Sequence, residues 1–213
     1  MEDKENDWLS LVNSLITKIM HHILRFCYPY LKDIEREKEL EAKQRLKSSF
    51  KHFGDCSTLG PDPSVCGVEH ISIGDRFIAR KGFRIETISH LNDKTPELII
   101  GDDVTFEDWC HVGCAERITI GSGTMCASKV FITDHYHGDI SRNDIDVPPG
   151  KRSIHSKPIS IGRNVWIGDN VSIMPGVTLG DNIIVGANAV VTHSFPENVV
   201  IAGCPAKIIK RLE

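Results

Sequence analysis

From Ile161 to Val191 an aliphatic side chain recurs at every sixth position: Ile161, Ile167, Ile173, Leu179, Val185 and Val191. A second, mostly apolar series stands four places after each of these, at Val165, Val171, Val177, Ile183, Ala189 and Phe195. Gly, Asp and Asn fill the intervals, residue types that turn the backbone or take a positive φ. A period of six matches neither the 3.6 residues of a helix nor the alternation of an ordinary strand. It is the repeat of a parallel β-helix, in which each hexad builds one short face of a coil and points its aliphatic side chain into the tube. The inward series starts earlier, at Ile73, Ala79 and Ile85, then Ile100, Phe106, Val112 and Ile118. A two-residue slip resets it at Ile120, followed by Cys126 and Ile132. At three hexads per turn, about five coils are expected between Ile73 and Pro196. Two segments leave the count. Residues 91–98 (LNDKTPEL) form a short polar excursion, and residues 136–158 are longer, charged, and contain Gly138, Pro148, Pro149 and Gly150. An interruption that long inside a compact repeat reads as a functional lid, with a solvated insertion as the alternative.

The N-terminal segment follows another rule. Apolar pairs recur at helical spacing from Trp8/Leu9 through Leu11/Val12, Leu15/Ile16, Ile19/Met20 and Ile23/Leu24 to Phe26/Cys27, which predicts an amphipathic helix. Pro29 is expected to end or kink it, and residues 32–48 are charged and helix-prone. Lys18, His21, His22 and Arg25 make it a poor membrane span. Its apolar stripe fits packing on the β-helix or on a partner subunit, the favoured reading, or an interfacial membrane contact. The expected organisation is a helical extension over 1–50, the β-helix over 65–197 with its loop 136–158, and a C-terminal tail over 198–213.

The 213 residues suffice for a substantial core, and a net charge of −4 does not suggest nucleic acid. Seven cysteines, odd in number and without a paired CxxC or an evident secretory signal, read as reduced thiols in a cytoplasmic protein, with the helix as a candidate peripheral contact to the inner membrane. Cys126 falls at an inward position. Cys110 and Cys114 read as structural thiols in preference to metal ligands, because no second ligand pair has zinc spacing.

The chemistry points first to ITDHYHGD, residues 132–139. His135 lies off the inward position, at the root of the long loop, where an imidazole can take a proton from an alcohol near neutral pH. A solvated surface histidine is the competing reading. His111, in DWCHVGC, is a second candidate one coil earlier. Zinc on His111, His135 and His137 would need three ligands and an open position, and HxH is a weak signal for it; no metal is expected.

The run from Pro158 to Arg211 resembles the C-terminal half of the galactoside/maltose acetyltransferase branch of the hexapeptide acyltransferases. NVWIG, IMPGVTLGDN, VGANAVVT and AGCPAKIIK match in order and without gaps, and ITDHYHG resembles the catalytic stretch of members that O-acetylate surface-polysaccharide sugars. The resemblance covers roughly residues 65–212 and omits the N-terminal helix. It implies a left-handed parallel β-helix, against the usual right-handed crossover, and a homotrimer with sites between adjacent subunits. It implies His135 as general base on an acceptor hydroxyl that attacks the thioester of acetyl-CoA directly. The backbone N–H of Asp169 matches the oxyanion donor and Trp166 an active-site tryptophan. Ala187 and Thr192 match the pantetheine groove, and Lys207 and Lys210 match basic residues near the nucleotide phosphates. Two positions depart from the pattern. His193 stands where a lysine is common, and the acidic acceptor-binding residue falls near Gly113 or Ala115. Asp108, Trp109 and His111 are the substitutes expected to meet the acceptor, a carboxylate for hydroxyls and an indole for a sugar face. The expected function is O-acetylation of a sugar hydroxyl in O-antigen, capsule or exopolysaccharide synthesis. N-acetylation of an amino-sugar nucleotide and a non-catalytic hexapeptide scaffold are the alternatives.

Overall fold

The computed structural model describes residues 2–89, 93–138 and 145–212, with backbone alone for 2–7 and 9–11. The chain divides into a helical unit, 1–47, and a β unit, 48–213. In the β unit each turn of chain lays down three short strands, one on each face of a tube. Face one stacks His52–Phe53, Ile71–Ile73, Glu97–Ile100, Arg117–Ile120, Ile159–Ile161 and Thr178–Leu179. Face two begins with Thr58–Leu59 and includes Met125–Cys126, Trp166–Ile167 and Ile184–Val185. Face three stacks Ser64–Cys66, Arg84–Thr87, His111–Cys114, Phe131–Thr133, Ser172–Ile173 and Val190–Val191. Neighbouring coils pair in parallel throughout these faces.

The tube has six coils where about five were expected. The added coil runs from His52 to Cys66, ahead of the expected start at residue 65. Its inward residues Phe53, Leu59 and Val65 keep the six-residue spacing, but at the end of the tube they are only partly covered, and a 3₁₀ turn, Val68–His70, shifts the phase before Ile71. Every inward residue from Ile73 to Val191 in the predicted series is buried, as is the second series from Val165 to Phe195. From Asn164 onward the non-glycine positive-φ corners are all asparagine, at Asn164, Asn170, Asn182, Asn188 and Asn198, a residue that tolerates the left-handed region better than most.

Three further expectations need correction. The strand Glu97–Ile100 takes Glu97 and Leu98 out of the polar excursion, of which residues 91 and 92 lie outside the described residues. The segment 198–213 is no tail: Val199–Ala202 extends face two, its Val199 and Ile201 buried, and Lys207–Arg211 returns antiparallel along it. The helix does not end at Pro29 but runs Glu2–Ser49, because a proline inside a long helix-prone run removes one backbone bond without stopping it. Among the described residues no helix is long and apolar enough to cross a membrane.

The departures from the six-residue count in the first four coils all fall at one corner, between faces three and one, the first being the 3₁₀ turn Val68–His70. In the second coil the excursion after Thr87 leaves there, in the third the slip between Cys114 and Arg117 sits there, and in the fourth the long loop leaves there after Thr133. That loop opens as an antiparallel arm, His135–His137 against Ile154–Ser156, with Tyr136 stacked on His155. Residues 139–144 of the loop lie outside the described residues.

Candidate active site

The slip corner and the arm are tied together by one carboxylate. Asp134 is fully buried and accepts three successive backbone N–H bonds, from Ala115 at 2.7 Å and from Glu116 and Arg117 at 2.8 Å each. The thiol of Cys114 lies 3.6 Å from the same carboxylate. Burial raises the pKa of the Asp134 carboxyl, but the His135 contact and the three amides outweigh it and hold the group ionised below its ordinary range.

His135 follows at the root of the arm. Its Nδ1 stands 3.0 Å from Thr133 Oγ1 and 3.3 Å from Asp134 Oδ1, and its side chain is largely buried. Nε2 has no hydrogen-bond partner among the described residues. An imidazole held on one nitrogen and open on the other has the geometry of a proton acceptor whose orientation is set in advance.

One coil earlier on face three, His111 places Nε2 2.9 Å from Glu86 Oε1, and Arg84 lies 2.9 Å from the Glu86 carboxylate. A carboxylate only accepts, so His111 Nε2 carries the proton. Burial pushes the His111 pKa down, and the Arg84 and His135 charges add to this against the Glu86 bond. Burial raises the Glu86 pKa, but Arg84 and His111 prevail and lower it. The pair is therefore a carboxylate and a neutral imidazole at neutral pH. Register brings it to His135: Glu86, Gly113 and Thr133 are aligned across three coils. A Cβ on Gly113 would stand 3.3 Å from His135 Cε1, 3.5 Å from His111 Nε2 and 3.8 Å from Glu86 Oε1. Glycine thus leaves a gap on which two imidazoles and a carboxylate converge. Glu86 was missed by sequence reasoning, because it belongs to a different coil and no local motif marks it.

The other predicted residues fall elsewhere. Asp108 and Trp109 occupy the corner between faces two and three, at the far end of face three from His135. The Asp108 carboxylate accepts the Lys81 N–H at 3.1 Å through Oδ1, a corner bond between neighbouring coils. Trp109 has a positive φ and lies flat on Gly82, where a Cβ would come within 2.2 Å of the indole, with Lys81 Nζ 5.7 Å from the ring. Of the three expected acceptor contacts, only His111 joins His135. Trp166 stands half exposed on face two beside Met125, and Asp169 and Ala187 occupy the corner that carries Asp108 two and three coils earlier. The Asp169 carboxylate accepts the Ser128 N–H and its carbonyl accepts the Asn188 N–H, while its own N–H has no partner among the described residues. Lys207 and Lys210 are exposed on the returning strand at the edge of face two. Thr192 departs from this group and lies on the same corner as His135, two coils further on. A single chain therefore separates His135 from Trp166, Asp169 and Ala187 by the width of face three.

Cys110, Cys114 and Cys126 are buried thiols, with burial raising the Cys110 pKa to about 11. Among the described residues no group of three or more His, Cys, Asp or Glu side chains is arranged to hold a metal.

The bacterial transferase hexapeptide family (six repeats) matches residues 158–193. The chain is 41% identical over 145 residues to the putative lipopolysaccharide biosynthesis O-acetyl transferase WbbJ of Escherichia coli K12, covering 66% of this chain and 71% of that protein. It is 41% identical over 178 residues to the galactoside O-acetyltransferase of the same organism, covering 82% and 70%. The chain belongs to the hexapeptide-repeat acyltransferases. Among solved structures it is similar to the hexapeptide-repeat acetyltransferase VCA0836 of Vibrio cholerae, complexed with acetyl coenzyme A, at 25% identity and a TM-score of 0.54 over 82% of this chain and 78% of that one. The six parallel coils of this hexapeptide-repeat acyltransferase accordingly form the left-handed β-helix of its family.

Proposed function

We propose that the protein is an acetyl-CoA-dependent O-acetyltransferase that modifies a sugar hydroxyl during synthesis of a surface polysaccharide, with His135 as general base. The observation that carries this reading is the held imidazole: Thr133 and Asp134 engage Nδ1, and the open Nε2 borders the Gly113 gap. The acceptor O–H gives its proton to Nε2 as its oxygen attacks the thioester carbonyl. The tetrahedral oxyanion meets the Asp169 N–H. The C–S bond then breaks, and the imidazolium returns the proton to the leaving thiolate. Asp134 positions the ring through Nδ1. Neutral His111 and ionised Glu86 are placed to hydrogen-bond a neighbouring acceptor hydroxyl, the work expected of an acidic residue at the Gly113 position.

Because one chain keeps His135 apart from Trp166 and Asp169, the reading assigns the site to two chains of a homotrimer, with His135 and Thr192 from one and Trp166, Asp169 and Ala187 from the next. The acceptor class rests on the two Escherichia coli relatives named as O-acetyltransferases, one of lipopolysaccharide biosynthesis and one of galactosides. The coenzyme rests on the Vibrio cholerae structure.

Calorimetric titration with acetyl-CoA alone should give saturable binding near one site per chain. His135→Ala should retain that binding and lose turnover by about two orders of magnitude. Product released by mild alkali identifies an ester; an alkali-stable amide would assign N-acetylation instead. Absence of binding by folded protein would remove the enzymatic reading.

A further inference from the structure

The helix Glu2–Ser49 holds a long apolar stripe in solvent: Ile16, Ile19, Ile23, Phe26 and Tyr30 are each at least half exposed. A helix draws most of its stability from packing such a face, and propensity alone leaves it marginal. The stripe therefore calls for a covering surface, and its spacing says which. In sequence Leu9, Val12, Ile16, Ile19, Ile23, Phe26 and Tyr30 alternate by three and four residues through three heptads. The next two positions of that series, Asp33 and Glu37, are acidic and end it.

We propose that residues 9–30 form a parallel three-stranded coiled coil with the same segment of two further copies of this chain. A helix lying on a lipid surface needs only a broad apolar face of period 3.6, whereas an unbroken three–four alternation is the seam of a coiled coil. Leu9, Ile16, Ile23 and Tyr30 hold one seam position, and Val12, Ile19 and Phe26 the other. Two strands favour leucine at the second position; β-branched Val12 and Ile19 there shift the preference to three or four, of which three matches the homotrimer proposed above. Leu15 and Met20 flank the seam and widen its apolar face. Lys18, Arg25 and Lys32, seven residues apart, form a basic row off the seam. Apart from the strand number, the proposal does not rest on the acetyl-transfer reading.

The test uses the full chain in lipid-free buffer, with far-UV ellipticity and sedimentation equilibrium as readouts. The wild type should show the helical signal of the N-terminal unit and sediment as a trimer. Ile16→Glu/Ile23→Glu should lose most of that helical signal while the melting of the β unit stays unchanged. Ile16→Leu/Ile23→Leu and the off-seam Lys18→Glu/Arg25→Glu should retain it. Helicity that survives the seam charges, or a wild-type mass other than a trimer, overturns the proposal. Helicity that appears only with vesicles of anionic phospholipid, or is lost in the off-seam variant alone, overturns it in favour of a membrane surface.

Discussion

Asp134 acts on two parts of the site at once. It orients the His135 ring and closes the corner of the coil before it by binding three amides. Because its folded pKa is depressed, its contribution to stability is present above the unfolded carboxylate value and is lost as pH falls through the folded one. Asp134→Asn should therefore lower unfolding free energy by about 3 kcal/mol at neutral pH in chemical denaturation. The gap to wild type should close as pH is taken below the ordinary carboxylate range. The Glu86–His111 pair gives a second test. The carboxylate raises the His111 pKa against burial, so Glu86→Gln should move the His111 titration, followed by NMR, further below the free-imidazole value. His135 and His111 were legible in sequence, since each breaks the apolar count beside a loop or corner. Glu86 was not, because its meeting with His111 depends on which strands become neighbours. The corner bond from the Lys81 N–H to the Asp108 carboxylate was illegible for the same reason, since it too joins neighbouring coils.

At the scale of elements, the six-residue period made the inward positions legible from Ile73 to Val191, because burial in a tube depends on spacing alone. Both ends escaped it. The first coil is half covered and out of phase, and the final antiparallel return obeys alternation rather than hexads. The slip at Ile118 was visible as a counting fault, yet its use was not: it makes the tight corner that the Asp134 carboxylate fills. In the helical unit, Pro29 was expected to end or kink the helix, and the helix-prone sequence on either side carries it through. That proline still opposes the helix. Pro29→Ala should stabilise it by about 3 kcal/mol, seen as a higher midpoint in the helical ellipticity melt with the β-unit melt unmoved.

For the whole molecule, the width of face three is decisive. With His135 on one corner and Asp169 on another, the proposed function requires two chains for a complete site and makes activity a property of neighbours. Mixing unfolded His135→Ala and Trp166→Ala chains in equal amounts and refolding them together should restore roughly a quarter of wild-type turnover, the share of interfaces that pair one intact His135 with one intact Trp166. Each variant refolded alone should stay nearly inactive. Equal inactivity of the mixture would place both residues in one chain's site.

The clamp at Ala115, Glu116 and Arg117 also gives the molecule a built-in clock. Amides at the exposed corners of such a tube ordinarily trade their hydrogens with water quickly. These three bond to a buried carboxylate on the next coil and can exchange only when that coil lets go. Their deuterium uptake therefore times the opening of the segment that carries His135, a measure of how long that ring stays aligned that needs no substrate.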